Sequence, residues 1–200
     1  MPNKFKSSLS TIWILLFLGG AALAQNGVLG EVRFVGATKV ERTSGVWIDS
    51  QYVGYLGELK EDKKIFLLPG EHTIAVRQSG YADFVRNLVV EPNKRLTLTV
   101  KMERDARVQF PNVTSEVKLQ VTPDRAAVFV DGGFVGNVHE FTGVGRAMLV
   151  SPGKHRIKIA LPGYQTFETE ITLLPKQKFK IETELAKGSI TQADPLMRKE

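Results

Sequence analysis

The sequence predicts an all-β protein made of two small antiparallel β-sandwiches in tandem, and three observations carry that reading. Apolar and polar residues alternate with period two through most of the chain, and no stretch after residue 25 sustains a helical period. Glycine and proline fall at regular corners between the alternating runs. Most informative, the chain repeats itself. Val46-Trp47-Ile48-Asp49 matches Val128-Phe129-Val130-Asp131 at an offset of 82, and the register continues through Val53-Gly54 against Val135-Gly136 and Glu58 against Glu140. One inserted residue then shifts the offset to 83, where Pro69-Gly70-Glu71-His72 faces Pro152-Gly153-Lys154-His155. In that register Ile74 faces Ile157, Gly80-Tyr81 faces Gly163-Tyr164, Phe84 faces Phe167 and Pro92 faces Pro175. The identities cluster at turn and core positions, the signature of one structural unit used twice.

The chain begins with an export signature over residues 1–24. Lys4 and Lys6 supply a positive start, an apolar run extends from Ile12 to Ala24, and Ala22-Leu23-Ala24 closes it with small residues at alternate positions. The run is shorter than the roughly 20 residues a membrane-spanning helix needs, so cleavage leaves no stable span. Retention as an N-terminal anchor is the alternative. The first module is expected over residues 28–103, opening with Val32-Arg33-Phe34-Val35 and continuing through His72 to Val76, Leu88 to Val90, and Leu96-Thr97-Leu98-Thr99-Val100. A linker is expected over 104–115, although Val108 and Phe110 have the character to pack. The second module is expected over 116–186. Its opening strand is Val117-Lys118-Leu119-Gln120-Val121, and Asp131-Gly132-Gly133 makes a compact hairpin turn. In Lys154-His155-Arg156-Ile157-Lys158-Ile159 the apolar residues alternate with basic ones, one face buried and one wet. Pro69-Gly70 and Pro152-Gly153 suit the centre of type II turns. Residues 187–200 are expected to form a loose tail.

Composition restricts the function classes. The 200 residues include no cysteine, which excludes disulfides, thiolate metal sites, cysteine catalysis and a lipidated cysteine, and only three histidines. Loss of the leader lowers the formal charge from +6 to +4, and the remaining excess is spread thinly, with no Lys/Arg run to follow a phosphate backbone. Nucleic acid is therefore not an expected partner. Gly143-Val144-Gly145 lacks the strand–helix setting and lysine of a phosphate loop, and no Gly-x-Ser-x-Gly elbow is present. Neither a cofactor nor catalysis is expected.

The string Val-x-Val-Asp-Gly, then Pro-Gly-x-His-x-Ile-x-Ile, then Gly-Tyr-x-x-Phe, resembles the PEGA domain. The second copy carries it in Val128 to Gly132, Gly136, Pro152 to His155 and Gly163-Tyr164; the first in Val46 to Asp49, Gly54, Leu68 to His72 and Gly80-Tyr81. Both copies depart from the family's Gly-x-Thr-Pro after the second strand, with Gly54-Tyr55-Leu56-Gly57 and Gly136-Asn137-Val138-His139, and Ser50 replaces the first hairpin's glycine. The resemblance implies a β-sandwich found largely outside the cytoplasm, with interaction roles at the cell envelope and no catalytic residues to carry over.

Asp49 and Asp131 read as turn acceptors, and His72 and His155 as rings bonded to a turn or covering a sheet edge. His139 stands alone in a loop. Tyr81, Tyr164, Phe84 and Phe167 read as core. Trp47 and Phe129 point away from their flanking apolar residues and are therefore expected on the outer face, where they could stack on a sugar, anchor a protein or pack the modules together. The loops after Gly54 and Gly136 differ most between copies, one charged and the other small and apolar. Tyr55, Lys60, Lys63 and Phe141 from those loops, with Trp47 and Phe129, form the candidate binding surface. The leading expectation is an exported, non-catalytic module that binds or scaffolds an envelope protein; the alternative is a module for peptidoglycan or exopolysaccharide.

Overall fold

The computed structural model describes residues 29–59 and 64–188; the leader, the expected tail beyond residue 188, Lys60 and Lys63 lie outside the described residues, while Lys187 and Gly188 are tied to the Gly163-Tyr164 turn. The first module runs β1 (Gly30–Gly36), α1 (Lys39–Thr43), β2 (Gly45–Ile48), β3 (Gln51–Tyr55), β4 (Ile65–Leu67), β5 (Gly70–Arg77), β6 (Phe84–Val90) and β7 (Arg95–Val100). The second runs β8 (Ser115–Thr122), β9 (Ala127–Val130), β10 (Gly133–Asn137), α2 (Val138–Phe141), β11 (Met148–Val150), β12 (Gly153–Ala160), β13 (Phe167–Leu173) and β14 (Lys178–Glu184). Each module has one sheet of three strands and one of four. Their orders are β4-β1-β7 and β3-β2-β5-β6 in the first, and β11-β8-β14 and β10-β9-β12-β13 in the second. Strand for strand, the two orders are the same. Even the isolated bridges agree, Tyr81 with Arg104 and Tyr164 with Lys187.

The expected sandwiches are present, with one departure. The first and last strands of each module pair in parallel, Glu31 to Gly36 beside Arg95 to Val100 and Glu116 to Thr122 beside Lys178 to Glu184. Parallel pairing needs a long crossover, and here the whole intervening module is that crossover. Local alternation reports which face a residue occupies and not which strand lies beside it.

The cores follow the alternation. Val32, Phe34, Val46, Ile48, Ile74 and Val76 fill the first; Val117, Leu119, Val128, Ile157, Ile159 and Leu173 fill the second. Each fully buried side chain of this size contributes about 1.5–3 kcal/mol relative to its exposed state. In α1, Thr38 and Glu41 form a reciprocal capping box. Burial works against the Glu41 carboxylate, but hydrogen bonds from Thr38 and from the Met102 N–H outweigh it and hold the pKa at about 2. The corresponding β8–β9 connection contains a cis Thr122-Pro123 bond instead.

Turn chemistry corrects one expectation. Gly70 and Gly153 have φ of +138° and +130°, outside the range of a type II centre, and they open β5 and β12. Gly80 and Gly163, at +80° and +81°, take that position, closed by Tyr81 N–H to Gln78 O and Tyr164 N–H to Leu161 O. The proline–glycine type II turn is thus Pro162-Gly163. Between the modules, Arg104 bridges to Tyr81, Ser115 opens β8, and Val108 and Phe110 are exposed.

Candidate functional site

Asp49 and Asp131 occupy the first central positions of the β2–β3 and β9–β10 hairpins, with φ of +49° and +51°. Ser50 and Gly132 follow at +68° and +83°, so both turns have two left-handed central residues, the type I′ geometry that suits strand twist. Asp49 accepts the Thr73 N–H at 2.9 Å and lies 2.6 Å from His72 Nδ1; Asp131 does the same with the Arg156 N–H at 2.8 Å and His155 Nδ1 at 2.7 Å. The Nε2 atoms of the two histidines lie 2.9 Å from the carbonyls of Leu68 and Ser151. Both neighbours of His72 are acceptors, and the bond to Asp49 is the main reason its pKa is raised. Partial burial opposes ionisation of Asp49, but the bonds from His72 and Thr73 keep its pKa below the ordinary value. These pairs fasten each hairpin to the neighbouring corner; in the second module Ser151 Oγ also lies 3.3 Å from His155 Nε2, and Asp131 and His155 line a shallow concave surface shared with β12 and β13. Among the described residues no group of three or more His, Asp or Glu could hold a metal ion.

Trp47 does point away from Val46 and Ile48, but the outer face it occupies is not open. It is 3% exposed, and Phe129 is 8% exposed. The Trp47 ring meets Phe134 edge-on at 4.8 Å and Tyr52 at 5.2 Å, while Phe129 meets Phe134 at 5.7 Å. Arg77 covers the indole at 4.9 Å. The second module therefore covers the outer row Tyr52-Trp47-Ala75 of the first, and all three belong to the second module's core cluster. The expectation of outward aromatics for a ligand fails here, because tertiary packing covers a face that alternation could only label as outer. The sugar-stacking argument loses its basis with it.

Polar groups complete the joint. Tyr52 donates its hydroxyl to Arg125 O at 2.9 Å, Arg125 donates to Val53 O at 3.1 Å and pairs with Glu58 at 3.2 Å, and Asn137 donates to Thr43 O at 2.9 Å. Gln78 donates to Glu140 at 3.0 Å, where burial pushes the carboxyl pKa up. Tyr55 stacks on His139, planes 8° apart and centroids at 5.6 Å, and Phe141 is half-buried against the second core. Of the six candidate residues, four thus lie in or beside the joint or core, and Lys60 and Lys63 lie outside the described residues.

A different surface stands open. The outer faces of β8 and β14 carry Glu116, Lys118, Lys178 and Lys180, and the parallel register sets Lys180 beside Lys118 and Lys178 beside Glu116. With Arg146, Ala147 and the 66%-exposed Leu149 they line a concave surface of about 700 Å³. Lys178 reaches Glu116 at 3.6 Å and Lys180 reaches Glu182 at 2.6 Å, whereas Lys118 has no carboxylate partner among the described residues. On the equivalent face of the first module both arginines have a carboxylate partner, Glu31 pairing with Arg95 at 3.1 Å and Arg33 at 3.8 Å. On the β12–β13 face the charges are paired, Lys154 with Glu170 at 2.7 Å and Lys158 with Glu168 at 3.4 Å. Alternation along residues 116–120 and 178–182 marks these lysines as outward; only the parallel pairing brings them together.

Fold and joint define an all-β, two-module protein with a basic concave face on its second module. Residues 114–189 match the family model described as the PEGA domain. Among solved structures, the chain is similar to the Bacillus anthracis TIE protein, at 17% identity and a TM-score of 0.28, covering 80% of this chain and 34% of that one. It is also similar to GBS52, the minor pilin of Streptococcus agalactiae, at 9% identity and a TM-score of 0.23, covering 80% and 97%. The chain thus spans about a third of the TIE protein, and neither likeness bears on what this chain binds. No curated protein matches it. Among the described residues no helix is long and apolar enough to cross a membrane.

Proposed function

We propose that this chain is an exported, non-catalytic scaffold at the cell envelope, two PEGA-like modules held in one orientation, whose second module offers its basic face to an acidic segment of a partner protein. The domain match supports the class of module, the leader supports export, and the repeated strand order supports treating the first module as a diverged copy. The observation that carries the binding reading is the side-by-side pair Lys118 and Lys180 over Leu149, flanked by Lys178 and Arg146. Like charges held beside each other are unfavourable without a counter-charge, so an anionic segment recovers what the free protein loses. The charged loop containing Lys60 and Lys63, with Tyr55 at its base, is proposed as a second point of contact.

Fluorescence anisotropy with a glutamate-rich peptide, paired with recovery of partners from an envelope extract, tests this reading. Lys118→Glu with Lys180→Glu is expected to weaken peptide binding by about tenfold or more and to flatten its salt dependence. A wild-type chain with no affinity for the peptide, and an unchanged partner set for the double variant, would remove the proposal.

A further inference from the structure

β6 is an edge strand seven residues long, and three adjacent facts make it fit a second copy of itself. The first is which backbone groups face off the edge. Thr73 of β5 turns both its N–H and its C=O toward the β2 side, donating to Asp49 Oδ1 and accepting from the Asp49 N–H. Thr73 faces Asn87, so this is a non-hydrogen-bonded pair of the β5–β6 ladder. By the alternation of an antiparallel ladder, Val85, Asn87 and Val89 point their N–H and C=O groups off the edge. The Arg86 guanidinium agrees, since it curls back to donate to Val85 O at 2.8 Å.

The second fact is the side chains. Val85 and Val89 are 45% and 64% exposed. In Phe84-Val85-Arg86-Asn87-Leu88-Val89-Val90 the outward valines and the terminal Phe84 and Val90 are symmetric about Asn87, while Arg86 mirrors Leu88. An antiparallel partner centred there sets Val85 against the other copy's Val89, Asn87 against Asn87 and Phe84 against Val90. The three edge-facing residues then all form hydrogen-bonded pairs in one register. The third fact is continuity. The row Tyr52-Trp47-Ala75 ends at Val85, so the exposed valines extend an outer face whose other end already lies under the second module.

The equivalent strand β13 sharpens the inference. It turns Glu168, Glu170 and Thr172 outward at the same positions, and self-pairing there sets Glu170 against Glu170. Charge of this kind is how sheet edges are kept from associating. We propose that two copies of this chain associate through β6, about a twofold axis at Asn87, to give a continuous eight-stranded sheet. The interface is isologous, as a closed dimer requires, and is separate from the basic face of β8 and β14.

Sedimentation equilibrium of the full chain, recovered as the cell processes it, measures the association. A monomer–dimer equilibrium is expected. Val89→Glu, which enters the interface twice, is expected to weaken it by about 100-fold, and Thr172→Glu on β13 leaves it unchanged. Because the chain has no cysteine, a single introduced thiol reports the axis directly. Asn87→Cys places two Cα atoms about 5.5 Å apart, within disulfide reach, and is expected to give a covalent dimer on mild oxidation, whereas Glu170→Cys does not. A wild-type chain monomeric at every concentration, or Asn87→Cys cross-linking no faster than Glu170→Cys, would overturn the proposal. Loss of dimer with acidic-peptide binding intact would leave the reading of the basic face standing.

Discussion

β6 and β13 occupy the same place in two modules of the same strand order, yet β6 turns Val85, Asn87 and Val89 to solvent where β13 turns Glu168, Glu170 and Thr172. The β2–β9 pair differs in the same way: the inward residues Val46 and Val128 are identical, while the outer ones are Trp47 and Phe129. In the three-stranded sheets, Glu31 pairs with both Arg33 and Arg95 on one side, while Lys118 stands beside Lys180 on the other. What is common to the copies lies at hairpin clamps, corners and inner faces. What separates them lies on outer faces, which the fold leaves free to vary and where contact with anything else must occur.

The largest test of that division is Trp47→Ala. If the indole joins the modules, its removal leaves a cavity between them and costs about 3–5 kcal/mol, seen by circular dichroism in urea, and splits one unfolding transition into two. A cost below about 1 kcal/mol would mean the modules are only loosely apposed. The clamps should respond alike in both copies. Asp49→Ala and Asp131→Ala are each expected to cost about 1–2 kcal/mol in the same denaturation experiment. In the first clamp the dependence on pH has two ends. The raised His72 pKa makes its share complete below the ordinary 6.5 and lost as pH climbs through the folded value. The lowered Asp49 pKa makes its share present above the ordinary 3.8 and lost as pH falls through the folded value. A stability difference between wild type and Asp49→Ala that stays flat from acid to alkaline pH would contradict the geometry. The smallest effect is at the turn itself. Ser50 holds a left-handed φ of +68° that Gly132 holds without a side chain, so Ser50→Gly should stabilise by about 0.5–1 kcal/mol and Gly132→Ser should cost a similar amount. Opposite signs would show that the two hairpins are not interchangeable.

Much of this architecture can be read from residues in order. The offsets of 82 and 83 lead directly to paired strands and paired corners, and the Asp-turn and bonded-histidine readings match the geometry of Asp49 with His72 and Asp131 with His155. The inner faces follow from alternation at Val46, Ile48, Ile157 and Ile159. What alternation does not carry is neighbourhood. Trp47 is on the outer face, as its position between two core residues requires, but only the fold shows that Phe134 of the second module lies against it. Lys118 and Lys180 are more than 60 residues apart in sequence and meet because β8 and β14 run side by side. The Pro-Gly pairs mislead for a local reason: Gly70 and Gly153 begin strands, and the tight turns fall ten residues later at Gly80 and Gly163.

The parallel closure of each module has a mechanical consequence. Because β1 and β7 run the same way, the start of one and the end of the other lie at opposite poles of the module, and β8 and β14 repeat this. Copies can therefore be strung pole to pole without the polypeptide doubling back. Tension applied along such a string draws the two neighbouring strands past each other, loading the whole ladder together and not one rung at a time.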